Sequence, residues 1–333
     1  MNPYEVRRRH LLQSTLGAGA ASLLPRWAHA QAAFPSRSVT IVVPNAAGGP
    51  ADVLARAVSP GMSKALGVPV VVDNKPGAAG KIGIQALLRA PRDGHTIAVT
   101  SITALCALPV FDTKAGYKSP EDFEPLSLAT RTPTVWCVHP AVPAKNLQEL
   151  IKHAKANPGK LDYASFGTNS SSHLAQEDFF RMLDIKLTHV PFKGESEGLN
   201  ALLAGQVQVM MVSGAAKPHI EAGKILGLAT TGVKRWEVLP NIPTARETRV
   251  PELAGYSYEP WIGFSTAAGV PRDVVERLSA AVRQGLADPS AQSMLQGLGN
   301  RIVASTPAEM RDAVLQDLTR YLVLARSGRV APE

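Results

Sequence analysis

The chain has 333 residues, 45% of them hydrophobic and 19% charged, and a formal net charge of +8. That length suits two α/β domains with separate cores, and the composition is that of a folded globular chain, not a disordered one. Arg7, Arg8, Arg9 and Arg26 against Glu5 place +3 of the +8 in the first thirty residues and leave +5 for the rest. No dense basic run interleaved with aromatics occurs, so nucleic acid is not an expected partner.

The first thirty residues read as an export signal and not as part of the fold. Arg7-Arg8-Arg9-His10-Leu11-Leu12-Gln13 is followed by a mildly apolar run, Ser14 to Leu24, and then by Ala28-His29-Ala30, a small-x-small cleavage pattern that leaves Gln31 first. The run is about half the roughly twenty residues that a bilayer-crossing helix needs. Arg8-Arg9 ahead of Leu11-Leu12-Gln13, with Arg26 beyond the run, resembles a twin-arginine signal; the Sec route stays open. The expected location is the periplasm. Cys106 and Cys137 sit in no C-x-x-C pair, and their spacing leaves a disulfide and two buried thiols equally open.

From Val39 the pattern alternates strand and helix. Val39–Val43 is β-branched and apolar and predicts a buried strand. A turn of small residues, Asn45 to Gly49, leads to a helix near Pro50 with Asp52 in its first turn, running to Leu66. Pro60-Gly61 conflicts with that helix and predicts a kink or an early end. Strand Val68–Asp73, helix Gly80–Ala90, strand His95–Thr100, a looser segment and a strand near Phe123–Ala129 complete a first block. A second block takes Thr134–His139 as a strand and then a helix opened by the capping box of Asn146 and Glu149. Strands Leu161–Ser165, Leu187–Phe192, Val207–Val212 and Ile225–Thr231 follow, with helices Ser171–Leu183 and Glu195–Ala204 between them. Strand Tyr258–Phe264 and three helices, beginning near Pro271, Ser290 and Pro307, have too few strands for a third domain and are expected to cover the first sheet. The expected fold class is therefore α/β, two parallel-sheet lobes joined by a two-crossing hinge. The first lobe spans 31–130 and 253–333, and the second spans 131–252.

Ligands of open α/β sheets bind beyond the carboxyl ends of strands, so those loops carry the candidate chemistry. Asn45–Asp52 is a glycine turn entering a helix, whose free amides and dipole seat an anion. Pro76-Gly77-Ala78-Ala79-Gly80 is a second such turn, and Thr100-Ser101-Ile102-Thr103 offers hydroxyls. Ser165 to Ser172 brings serine and threonine hydroxyls onto a helix start beside His173, and His189 to Gly194 ends a strand with Lys193. Each has a plainer reading: hydroxyls that cap a helix, Asp52 paired with Arg56 at i+4, a solvated lysine, locally bonded histidines. Enzyme templates fit poorly. Gly80-Lys81 is followed by Ile82 and preceded by Lys75 where a phosphate loop needs glycine. No G-x-S-x-G elbow, H-E-x-x-H pair or metal-ligand spacing occurs, so neither cofactor nor metal is expected.

Several segments together resemble the Bug family of solute receptors of tripartite tricarboxylate transport systems. They are Phe34-Pro35-Ser36-Arg37, Val43-Pro44 with Gly48-Gly49 and Asp52, Asn74-Lys75-Pro76-Gly77-Ala78-Ala79-Gly80, Ala154-Lys155-Ala156-Asn157-Pro158-Gly159-Lys160, Tyr163-Ala164-Ser165, His189 to Gly194 and Trp261-Ile262-Gly263. The resemblance spans the mature chain. It implies a two-lobed periplasmic binding fold closing on a small carboxylate, of the di- or tricarboxylate class, for delivery to a membrane permease. A monomer without enzymatic activity is expected; a receptor feeding a signalling partner and a periplasmic hydrolase are the alternatives. Carried onto this sequence, the resemblance places ligand contacts at Asn45, Ala47, Gly48 and Asp52 in one lobe; Ser101, from the hydroxyls that end a strand of the same lobe, is expected to join them. It places Ser165, Thr168, Ser170, Lys193 and Ser213 in the other. Asn45 stands where an aromatic is common. Ser213 stands where an acid is usual, which takes a carboxylate from the expected cleft wall and favours plain carboxylates over amino acids.

Overall fold

The computed structural model describes residues 34–77 and 80–331. The signal-like segment and its cleavage pattern, and Ala78 and Ala79 of the second glycine turn, lie outside the described residues. Strand β1 (Val39–Val43) shows how the pattern folds. Val39, Ile41 and Val43 point into one apolar cluster and Val42 into another, so both faces of the strand are covered. The first cluster is completed by α1 (Pro50–Leu66), and the second by α2 (Lys81–Arg89).

With β2 (Val70–Asn74), β3 (Thr96–Ser101), β4 (Phe123–Arg131), β10 (Trp261–Ala267) and β11 (Arg301–Ile302), β1 forms a six-stranded sheet of order β11-β4-β10-β3-β1-β2. A second sheet has order β7-β6-β8-β5-β9. It is built from β5 (Val135–Val138), β6 (Asp162–Ser165), β7 (Thr188–Pro191), β8 (Val209–Val212) and β9 (Leu226–Thr230). Two α/β lobes are thus present, but neither sheet is all-parallel as the sequence predicted. β10 runs antiparallel to β3 and β4, and β5 antiparallel to β8 and β9. The crossings explain this. A strand that arrives from the opposite lobe starts at the edge where its neighbours end, as Trp261 pairs with Arg131, and must run back along them.

The crossing segments lie side by side. The Thr134 amide donates to Thr231 Oγ1 at 3.0 Å, the Thr231 amide to the Thr134 carbonyl at 2.9 Å, and the Thr132 amide to the Pro260 carbonyl at 3.0 Å. The looser segment after β3 is helical, a π-turn at Thr103–Ala107 running into α3 (Leu108–Phe111). Cys106 and Cys137 are buried free thiols.

Two expectations about helices change. Pro60 does not end α1. It leaves the Arg56 carbonyl without its usual helical donor, and the Ser59 hydroxyl donates to that carbonyl at 3.3 Å instead. Gly61 is there for closeness: α1 crosses α8 (Arg272–Ala287), and a Cβ on Gly61 would lie 2.7 Å from the Gly285 Cα. The last helix, α10 (Pro307–Arg326), covers the first sheet as expected but also grips the second lobe. Arg320 Nε donates to Asp178 Oδ2 at 2.6 Å on α5 (Ser171–Met182), and its guanidinium lies 5.7 and 5.6 Å from the Tyr256 and Tyr258 rings. One apolar cluster therefore runs from Phe111, Met310 and Tyr321 into Trp136, Phe179 and Phe180.

A methyl group on Gly285 would meet the Val58 carbonyl oxygen at 2.6 Å, a backbone atom that cannot step aside. Gly285→Ala is expected to lower stability by about 1–3 kcal/mol through overpacking, despite alanine's higher helix propensity. Urea unfolding of the two proteins measures it, and a variant as stable as the parent contradicts the close crossing.

Candidate functional site

The turn after β1 is held from within. Gly48 has φ +82°, a conformation that favours glycine, and its amide donates to Asp52 Oδ2 at 2.9 Å. Asp52, 3% exposed, also accepts Arg56 Nε on both oxygens at 3.0 Å and Asn74 Nδ2 on Oδ1 at 3.0 Å. Asn74 Nδ2 reaches the Asn45 carbonyl at 3.2 Å as well. The Arg56 guanidinium, then the Gly48 amide, hold the Asp52 carboxyl down at about 2. Asp52 is thus committed to the loop, and the Gly48 amide points inward at Asp52. What the turn leaves open is the start of α1, where the N-cap Gly49 provides no side-chain cap. Asn45, Ala47 and Gly48 are exposed, and the Ala47 amide has no partner among the described residues. Ser101 Oγ accepts the Ala104 amide at 3.3 Å and so serves the turn after β3.

In the second lobe the hydroxyl loop is built on two stacked histidines. Ser165 is fully buried, its Oγ 2.6 Å from His189 Nε2 and bonded to both the Gly167 amide and carbonyl. His189 stacks on His173 with centroids 3.9 Å apart, and His173 Nδ1 accepts the Asn169 amide at 3.1 Å, which puts its ring proton on Nε2. Ser170 caps α5, accepting from the His173 amide at 3.2 Å and donating to the Gly167 carbonyl at 2.7 Å. Thr168 alone of the three predicted hydroxyls is exposed and without a partner among the described residues. Behind the histidines, the Tyr163 hydroxyl donates to Glu177 at 2.5 Å, and Arg329 Nε donates to Glu177 at 2.9 Å. Burial pushes both His173 and His189 down to about 4. Lys193 is exposed, its amide 3.3 Å from Glu197.

The lobes enclose a cavity of about 550 Å³. Of the ten predicted residues, its lining holds Gly48 and Ser213; the other eight are not part of it. Thr130, Thr132 and Ile262 come from the crossing strands, and Leu295, Leu298 and Asn300 from the chain around α9 (Pro289–Gly297). Sequence reasoning missed Glu195. Ser213 does lack the acid, but its amide donates at 2.5 Å to Glu195 Oε1, at the start of α6 (Glu195–Leu203), and Glu195 lines the cavity. The wall therefore has a carboxylate after all, and the preference for plain carboxylates inferred from Ser213 loses its basis. An acid directly after Gly194 at a strand end was the available signal. Nothing in the local pattern marks Leu298 or Asn300.

The sequence profile described as the tripartite tricarboxylate transporter family receptor matches residues 54–324. The chain belongs to this receptor family. A Pseudomonas sp. (strain P51) protein, the UPF0065 protein in the tcbD-tcbE intergenic region, is 37% identical over 87% of this chain and 85% of its own. A Rhodopseudomonas palustris structure with adipate is 31% identical, covers 90% of this chain and all of its own, and superposes with a TM-score of 0.76. Malate-bound MatC from the same species is also 31% identical, over 87% of this chain and 99% of its own, with a TM-score of 0.73. Family membership accords with the Bug resemblance read from the sequence.

A buried histidine whose pKa falls on folding supports stability fully above its unfolded value, near 6.5, and loses that support as pH drops through its folded value, here about 4. Thermal unfolding is therefore expected to show Tm falling between pH 6.5 and 4. His173→Phe, which keeps an aromatic ring against His189, is expected to flatten the fall. Parallel Tm profiles for the two proteins would count against the buried, neutral pair.

Proposed function

We propose that this chain is an exported receptor that captures a small carboxylate between its lobes and hands it to the membrane permease of a tripartite tricarboxylate-type system. The observation that carries the reading is the interlobe cavity, which joins Gly48 beside the uncapped start of α1 to Ser213 and Glu195 of the facing lobe. The dipole of α1, whose start has no side-chain cap and whose Pro50 lines the cavity, favours an anionic group such as a carboxylate. Family membership and the adipate and malate of two relatives support it. The lobes are taken as 31–130 with 253–333, and 131–252, since the first sheet's strands fall in the former, apart from Arg131 at the end of β4, and the second sheet's in the latter. Ligand bridging the lobes favours the closed form by its differential affinity, with the paired crossings at Thr134 and Thr231 as the hinge. Export rests on Arg8-Arg9 and Ala28-His29-Ala30, by the twin-arginine or Sec route. Among the described residues no helix is long and apolar enough to cross a membrane. Delivery to a sensor instead of a permease is the related alternative.

One contact favours a hydrolase, the Ser165 Oγ at 2.6 Å from His189 Nε2. Against it, Ser165 is fully buried, its hydroxyl already serves the Gly167 backbone, and among the described residues no carboxylate bonds His189. A thermal-shift screen against mono-, di- and tricarboxylates tests the receptor reading. Ligand at about a hundred times its Kd is expected to stabilise by roughly 2.7 kcal/mol, and Thr132→Ala, which removes a hydroxyl from the cavity lining, to weaken binding without creating or removing turnover. No shift with any carboxylate overturns it.

A further inference from the structure

Trp236 belongs to both lobes. Its ring is fully buried in the second lobe's apolar cluster with Val212, Ala216, Leu239 and Ile242. Its indole Nε1 nevertheless donates at 3.0 Å to the Gly299 carbonyl, in the first lobe between α9 and β11. Glycine on either side allows the fit. A Cβ on Gly299, where φ is +79°, would lie 2.9 Å from Trp236 Cζ2, and one on Gly214 would lie 3.5 Å from Cη2. Two positions after Gly299, Arg301 on β11 of the first sheet makes the reciprocal reach. Its Nη2 donates to the Lys234 carbonyl at 3.1 Å and to the Arg235 carbonyl at 2.8 Å, both in the second lobe. Glu259 Oε1 accepts Arg301 Nη1 at 2.5 Å and holds the guanidinium in place.

These contacts lie at one end of the interlobe cavity, whose lining includes Gly214 and Val238 of one lobe and Leu298, Gly299 and Asn300 of the other. At the Gly48 end, among the described residues, no hydrogen bond or ion pair joins the turn Asn45 to Gly49 to the second lobe. Parting the lobes beside Trp236 would break three hydrogen bonds and wet the indole, so the contacts favour the spacing seen here. We propose that Trp236 and Arg301 form a clasp that fixes the spacing of the two cavity walls before ligand arrives, which makes them positioning residues for its capture. A gap already set at the bound spacing removes the loss of affinity that a partly populated competent state imposes. The proposal rests on the receptor reading above and adds to it a determinant of affinity outside the ligand's own contacts.

Trp236→Phe keeps an aromatic ring and removes the N–H. Arg301→Lys keeps a cation for Glu259 and removes the fork that reaches two carbonyls. Ser279→Ala is the control, since the Ser279 hydroxyl donates at 2.7 Å to the Leu126 carbonyl wholly within the first lobe. All three are expected to lower Tm, as the loss of a buried hydrogen bond does. Only the clasp variants are expected to move two further readouts of the chain lacking residues 1–30. Small-angle scattering of the ligand-free protein gives them a larger radius of gyration, which saturating ligand returns to the parent's. Isothermal titration with adipate and malate gives each a Kd about fivefold weaker, the effect of a hydrogen bond made only at the competent spacing. Radii equal to the parent's in both clasp variants overturn the proposal, as does an equal expansion in Ser279→Ala. If carboxylates bind the parent and the clasp variants equally, the clasp falls and the receptor reading stands. If no carboxylate binds or raises Tm, the receptor reading falls and the capture role with it, whatever the scattering gives.

Discussion

Two neighbouring threonines hold the chain's crossings between lobes together. Thr231 is fully buried and Thr134 nearly so, and their amides, carbonyls and hydroxyls bond one segment to the other. From this pairing the rest of the architecture follows. Because both crossings leave and enter at one edge of each sheet, β10 and β5 must run back against their neighbours. The same geometry brings the Gly48 turn of one lobe and the Ser213 end of β8 in the other to one cavity. It also sets two unlike sides. The lobes share an apolar cluster where α10 reaches α5, and they are separated by the cavity where α1 and α9 face Glu195 and Ser213.

Within the jaws, most polar groups stabilise the loops and are not free for a ligand. Asp52 accepts hydrogen bonds from the Gly48 amide, Arg56 and Asn74 at once, a buried charge made tolerable by complete hydrogen bonding and the Arg56 cation. Ser165 and Ser170 do the same for the opposite loop with His189, His173 and the Gly167 backbone. A rigid, internally satisfied loop keeps its few open groups, such as the Ala47 amide and the Thr168 hydroxyl, in fixed positions. Glu195 differs from these residues, since it supports Ser213 with one oxygen and also lines the cavity, as Lys217 does.

How much of this was legible in the residues varies with the range of the interaction involved. The β1 turn and α1 were readable because strand periodicity, small turn residues, Pro50 and Asp52 all act within a few positions. Even the bond between Asp52 and Arg56 could be named, as an i+4 pair. Pro60 did not end α1, because the neighbouring Ser59 hydroxyl takes the freed carbonyl and the close crossing at Gly285, more than two hundred positions away, holds the helix. Strand direction misled because alternation of strand and helix says nothing about the edge at which a returning strand enters.

By itself the sequence determined the α/β class, the two lobes, the loops at the strand ends and, through the order of its short motifs, the receptor family. These are local patterns or sums of local patterns, fixed by side-chain size, branching and turn chemistry. Only the tertiary structure decided which of those loops' polar groups are open and which are engaged, since that depends on partners distant in sequence, as His189 is from Ser165 and Asn74 from Asp52. It also decided the charge of the cavity wall. The carboxylate missing at position 213 is present in space because α6 begins beside the end of β8, a neighbour relation set by sheet packing and invisible along the chain.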